Sequence, residues 1–336
     1  MDAGAAATQR ACVAALAVLS IILSGCSTVP VNVADGRGFT RNFAWQYAGR
    51  TFNLAFDLHP DNYERFRARQ RTREYDLFAS DFHSKPFIQE ITRRLSDYGT
   101  ASGLSDDEIP YFIVSFVQNL PYTSDDLTTG FDEYPRFPYE TLYDNGGDCE
   151  DTSILAAAML HELRYDVALL LFPGHMAVGF ECRPRTGQPH YRHHGRRYCY
   201  LETTGDDWDV GVVPPSVQGV AATIKPIIER PVLLVEFVAK YRQVDVDTNA
   251  VDVTALVTNL GSHTARGATV HVALRKPGAD LAWDQIQSNR FGLAPEETFT
   301  YEVAGLRVKE GNPFQVYVQA RGTNFATQVA VSEVLR

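Results

Sequence analysis

Asn145-Gly-Gly-Asp-Cys-Glu-Asp-Thr-Ser-Ile154 constrains this chain more than any other stretch. Asn145, Gly146 and Gly147 tolerate the tight or left-handed backbone that most residues resist, so they read as a turn. Glu150 to Leu163 (EDTSILAAAMLHEL) has the composition and apolar spacing of a mostly buried helix. Cys149 therefore falls at the first helical turn. Unpaired N–H groups and the positive end of the helix dipole favour a thiolate there. That placement suits a cysteine nucleophile. It also suits a small buried residue at a helix start, since free cysteine is among the most buried residue types.

Two downstream segments complete a set. Pro173-Gly174-His175 to Phe180 reads as a turn feeding a strand that opens on His175. Tyr198-Cys-Tyr-Leu-Glu-Thr-Thr-Gly205 reads as a second strand that carries Glu202. The polar segment from Arg183 to Arg197 joins them as a loop, so the two strands are expected to pair antiparallel, with His175 and Glu202 as diagonal neighbours. A helix-start cysteine, a strand histidine and an acid on the next strand form a nucleophile, a base and an orienter.

Gly147 to Leu160, Gly174-His175 and Tyr200-Leu-Glu-Thr-Thr204 resemble the Cys, His and Asp blocks of the transglutaminase-like (papain-like thiol) superfamily. Phe116 to Tyr122 and Tyr134 to Leu142 are similar to the segment before the nucleophile in bacterial and archaeal members. The likeness spans roughly residues 84 to 214. It implies a papain/transglutaminase-like α+β fold and thiol chemistry on amide or ester carbonyls, with Cys149, His175 and Glu202 in the three roles. It does not choose between hydrolysis and transfer to an amine. Glu202 departs from the aspartate usual at that position. Such enzymes often use an upstream side chain to hold the oxyanion, which makes Gln118 a candidate. A helix-end glutamine bonded to a backbone carbonyl is the competing reading.

The first 26 residues read as a targeting segment: Arg10 precedes an apolar run, Ala11 to Leu23, of signal-peptide length. Leu23-Ser-Gly-Cys26 resembles the lipobox of bacterial lipoproteins, which implies cleavage before Cys26 and lipid on its thiol. A simple secretory signal or an uncleaved anchor is the alternative. With a lipidated Cys26 the protein sits in the cell envelope, anchored to a membrane without spanning it. Residues 27–40 form a tether and residues 41–229 the catalytic domain.

In an exported chain Cys182 and Cys199 are expected to pair, because the hairpin brings the end of one strand near the start of the other. That bond would fix the register of the strands bearing base and acid, and on the loop-entropy argument it contributes about 3 kcal/mol. Cys149 is then the odd thiol.

Residues 41–58 alternate apolar and polar around Ala48-Gly49-Arg50 and read as a β-hairpin. Helices are expected from Pro60, over 85–98 and over 105–120, with Ser105-Asp-Asp-Glu108 as a capping box. Arg65, Arg69 and Arg73 would share a solvated face of the first. Asp125 to Glu140 reads as a loop beside the cleft. Asp166 to Phe172 reads as a buried strand.

From about residue 230 the pattern becomes short alternating strands, such as Val251 to Val257, Val270 to Leu274 and Phe314 to Val318, with Asn259-Leu-Gly261 and Lys276-Pro-Gly278 as turns. Over 230–336 this predicts an immunoglobulin-like all-β sandwich.

The net charge of −10 argues against nucleic acid as a partner. Asp125, Asp126, Asp132 and Glu133 lack calcium-loop spacing, and His190, His193 and His194 lack a fourth ligand, so no metal or cofactor is expected. Two functions fit: a lipid-anchored thiol enzyme acting on protein or peptide amides, or an inactive scaffold that uses the same fold to bind a partner.

Overall fold

The structure is a computed structural model that describes residues 38–123, 134–182, 189–206, 208–244, 248–278, 281–309 and 311–335. The targeting segment, Cys26 and the acidic run Asp125 to Glu133 lie outside the described residues. The chain is mixed α+β, about 22% helix and 41% strand, and its sheets are mostly antiparallel.

β1 (Phe39–Tyr47) and β2 (Arg50–Leu58) form the expected hairpin, paired from Phe39↔Leu58 to Tyr47↔Arg50. Ala48 and Gly49 both take positive φ, the twist that a two-residue hairpin turn needs. Alternate side chains turn inward, and Phe43, Trp45, Phe52, Leu54, Phe56 and Leu58 among them are buried. These pack on α4 (Ile109–Gln118) through contacts such as Phe52–Phe112 and Phe43–Phe116, with ring centroids 4.7 and 5.2 Å apart.

α1 (Pro60–Arg67) stops before Arg69, so the expected arginine face does not form. Beyond the helix Arg69 and Arg71 turn inward, while Arg73 stays exposed. Arg69 makes a two-pronged pair with Asp81 at 2.6 and 2.9 Å and stacks over Phe137 at 4.0 Å. Arg71 holds both oxygens of Glu140 at 2.8 Å. Buried carboxylates and aromatic faces outcompete water for a planar guanidinium here. α2 (Asp76–Ala79), α3 (Lys85–Ala101) and α5 (Pro138–Asp144) complete this layer. α5 occupies the end of the stretch read as loop. Ser105 and Glu108 do bond each other, at 2.7 Å, but in a turn ahead of α4.

α6 (Cys149–Glu162) lies at the centre. Asp151 to Leu160 are all buried, and the run of alanines lets helices and strands approach it from several sides. It packs on an antiparallel sheet of order β5-β6-β4-β3-β7. These strands are β3 (Val167–Phe172), β4 (His175–Glu181), β5 (Tyr191–His193), β6 (Arg196–Leu201) and β7 (Thr223–Pro226). Leu169 and Val178 face the main core, whereas Leu170, Ala177 and Tyr200 face a second cluster with Val217. Burial on both faces explains the unbroken apolar run of β3. The connection read as a loop between β4 and β6 contains β5, which pairs Tyr191 with Tyr198.

β8 (Leu233–Gln243), β9 (Thr248–Asn259) and β13 (Thr298–Lys309) form a three-stranded sheet. It faces a second sheet of β11 (Ala282–Gln287), β10 (Ala265–Arg275), β14 (Gln315–Arg321) and β15 (Gln328–Val331), with β12 (Phe291–Leu293) on β10. Val251, Val253 and Val257 meet Val270, Val272, Val316 and Phe314 in a core separate from that of the α/β part. Val329 and Val331 are 42% and 47% exposed on a short strand at the edge of its sheet. Ion pairs join the two parts: Arg69 with Glu296 at 2.6 Å, His83 with Glu296 at 2.7 Å and Arg230 with the buried Asp76 at 2.7 Å.

Candidate active site

The turn ahead of Cys149 is shaped by contact as much as by conformation. Asn145 takes the left-handed backbone, φ 57°. A Cβ on Gly146 would lie 2.4 Å from the Pro121 carbonyl oxygen, and one on Gly147 would lie 2.5 Å from Asp151 Cβ. Only glycine fits at either position. The Gly147 N–H donates to Pro121 O at 3.3 Å, and Thr123 N–H donates to Gly147 O at 3.0 Å. The turn is thereby pinned to the chain that leaves α4.

Asp148 caps α6, taking the Asp151 N–H at 3.3 Å, and the Asp151 carboxylate reaches back to the Asp148 N–H at 3.4 Å. This is a reciprocal capping box. Asp151 is fully buried, and its compensating charge is Arg136, itself 1% exposed, which also donates its backbone N–H to Asp151 at 2.7 Å. Sequence reading did not foresee this buried pair under the nucleophile turn.

Cys149 is the one free cysteine among the described residues. Hydroxyls stitch its helix to the other two site elements: Ser153 Oγ donates to Met176 O at 3.3 Å, and Thr203 Oγ1 lies 3.0 Å from both Thr152 Oγ1 and Ser153 Oγ. Met176 follows His175, and Thr203 follows Glu202. The backbone N–H of Met176 acts on the Cys149 sulfur to pull its thiol down. The helix that opens with Cys149 is thus tied to the residue after His175, at the start of β4.

β4 pairs antiparallel with β6 from Val178↔Leu201 to Glu181↔Tyr198. Cys182 and Cys199 are joined by a disulfide with Cα atoms 5.7 Å apart. His175 opens β4 after the Pro173-Gly174 turn, where Gly174 has φ 69°. Glu202 lies one residue past the end of β6 rather than within a strand, which frees its backbone to curl around its own carboxylate. Oε1 accepts the N–H groups of Thr203 and Thr204, both at 3.0 Å, and the Thr204 hydroxyl at 2.7 Å. Oε2 accepts the Tyr200 hydroxyl at 2.6 Å and faces His175 Nε2 at 3.1 Å. Burial pushes this carboxyl up, but bonds from His175, Tyr200 and Thr204 outweigh it and hold it down at about 2. An ionised Glu202 accepts only, so the His175 ring donates to it from Nε2 and turns Nδ1 to the other side.

Tyr200 was not among the residues singled out from the sequence. Its hydroxyl also lies 2.9 Å from His175 Nε2. Burial and the Glu202 carboxylate push the phenol up, so it remains a donor. Period-two alternation was the available signal, since residues 200 and 202 point to one face.

Of the two readings of Gln118 the structure fits the helix-end one: its buried amide nitrogen donates to the carbonyls of Glu202 at 2.8 Å and Trp208 at 3.0 Å, which uses both hydrogens and leaves none for an oxyanion. It clamps the segment that carries the acid. One expectation is corrected: the Cys149 thiol is not lowered by its helix. Burial, then the Glu150 carboxylate, push it up against the Met176 N–H, and Sγ donates to Glu150 Oε2 at 3.0 Å. Among the described residues no group of His, Cys, Asp or Glu is arranged to hold a metal ion.

No protein-family model matches the chain, and no curated protein matches it.

Proposed function

We propose that this chain is an exported, lipid-anchored thiol enzyme of the transglutaminase-like type that cleaves or transfers acyl groups of protein or peptide amides. The observation that carries the reading is the His175 imidazole, bound on Nε2 by Glu202 and Tyr200, on a strand whose next residue, Met176, is tied to the helix that opens with the half-buried Cys149. An antiparallel sheet packed on a helix that opens with cysteine supports the transglutaminase-like assignment of residues 41–229. The two facing sheets beyond residue 230 support an immunoglobulin-like assignment.

In this mechanism His175 Nδ1 takes the Cys149 proton as sulfur attacks the carbonyl carbon. The N–H groups of Cys149 and Glu150, which have no acceptor inside the helix, receive the oxyanion. Collapse breaks the C–N bond, and His175 returns the proton to the departing amine. Water, activated by the same imidazole, then releases the acid and restores the thiol. An amine taking the place of water gives acyl transfer. Water is the default acceptor, so hydrolysis is the main outcome.

The test is p-nitrophenyl acetate with the full-length protein. A burst of nitrophenolate is expected, with the acetyl group found on Cys149 by peptide mass spectrometry. The burst should be lost in Cys149→Ser and slowed about 10²-fold or more in His175→Ala. No acetyl on Cys149 in the wild-type protein would refute the enzyme reading and favour a binding scaffold.

A further inference from the structure

Glu150 has a contact that the mechanism does not use. It follows the nucleophile directly, is partly exposed, and Cys149 Sγ at 3.0 Å is its one side-chain partner among the described residues. Neighbouring carboxylates are all matched. Asp148 caps the helix, Asp151 faces Arg136, and Glu202 holds five donors. No lysine, arginine or histidine among the described residues lies within ion-pair distance of Glu150. Among the described residues this carboxylate is thus matched by no cation, and it stands against the sulfur that an acyl substrate must reach.

Such a group does two things at once. It occupies the thiol as a hydrogen-bond acceptor, which keeps the proton on sulfur. It also sets a negative charge beside the reacting carbonyl, in a partly dehydrated place where charge acts strongly. A cation arriving with the substrate answers both, because a carboxylate paired to an ammonium or guanidinium is a weaker acceptor for S–H.

We infer that Glu150 selects substrates bearing a cationic group next to the acyl carbon, a protonated amine or a guanidinium, and that pairing with this group draws Glu150 off the thiol and frees it for His175. The inference rests on Cys149 being the reacting thiol. Glu150 is then a specificity-determining residue and a gate, opened by the substrate itself.

The experiment uses three methanethiosulfonates of similar size, carrying a trimethylammonium, a neutral methyl or a sulfonate end. Each is attacked by the thiol sulfur, which forms a mixed disulfide and expels methanesulfinate. Rates at Cys149 are followed by peptide mass spectrometry on the full chain. In the wild-type protein the cationic probe should react at least about tenfold faster than the anionic one, beyond their ratio with a free small thiol. Glu150→Gln should erase that excess and speed the neutral probe severalfold. Glu150→Asp should retain the charge preference. Added salt should shrink the wild-type ratio, a check that needs no variant. An excess that is absent in the wild-type protein, insensitive to salt, or unchanged by Glu150→Gln would overturn the inference. The probes need only a reachable thiol, so they report on Glu150 even if Cys149 forms no acyl-enzyme. Conversely, a normal acetyl burst with no charge preference would sink the gate and leave the enzyme reading standing.

Discussion

The Tyr200 hydroxyl lies 2.6 Å from the Glu202 carboxylate oxygen that also faces His175 Nε2, and 2.9 Å from that nitrogen. The three groups close a triangle. A glutamate arm has one more rotatable bond than an aspartate, and Tyr200 together with Thr204 removes that freedom. Tyr200→Phe should slow acyl-enzyme formation about tenfold, the effect of one lost hydrogen bond to a charged group, with little change in KM. Burst kinetics against substrate concentration separate the two. A change confined to KM would place Tyr200 in substrate binding instead.

Gln118 gives a sharper contrast. As a clamp on the Glu202 and Trp208 carbonyls, its replacement by leucine leaves one buried and one half-buried acceptor without this donor, which costs roughly 1–3 kcal/mol. Thermal stability and activity should therefore fall together in Gln118→Leu. An oxyanion donor would behave otherwise, with a loss in kcat of about 10²–10³ and an unchanged melting temperature.

Glu202 links the site to acid stability. Its carboxyl is held at about 2 against an ordinary 4.5, so it binds its proton less readily folded than unfolded. The stabilisation is complete above pH 4.5 and is lost as the pH falls toward 2. Denaturant unfolding of wild type and Glu202→Gln should show a gap on the order of 3 kcal/mol at neutral pH that closes across this window. A gap that stays constant from pH 6 to pH 2 would contradict it.

The Cys182–Cys199 bond closes a short loop at the far end of the β4–β6 pair. Replacing both residues with alanine should lower stability by about 3 kcal/mol. The register from Val178↔Leu201 also sets where β6 ends and Glu202 begins, so the acyl burst should weaken under the same mild denaturant that leaves the wild type intact. Equal unfolding midpoints with and without the bond would refute the stability claim.

The features legible in the sequence are those that depend on near neighbours. The Asn145 to Gly147 turn, the hairpin over 41–58 and the strand opening on His175 each follow from a few adjacent residues. The pairing of Cys182 with Cys199 needs only an antiparallel hairpin. What escaped notice depends on distant approach. Gln118 reaches Glu202 across 84 positions, and Arg71 reaches Glu140 across 69. Arg69 counted as surface because helical spacing was extended past Arg67, whereas Arg73 is exposed as expected. Glu150 was counted only as a helix former, since nothing in its neighbours tells which way its carboxylate turns.

Arg230 carries a consequence for anyone who divides the chain. Asp76 is 1% exposed, and the cation it meets at 2.7 Å is contributed from beyond residue 229, where composition suggests a cut. A fragment ending at Glu229 would keep the acid in its interior and discard its counter-ion, which is destabilising because the buried charge is left uncompensated. It would also release Arg69 and His83 from Glu296. The sandwich is thus part of what allows the preceding two hundred residues to hold their shape, and a fragment boundary that respects charge lies beyond it.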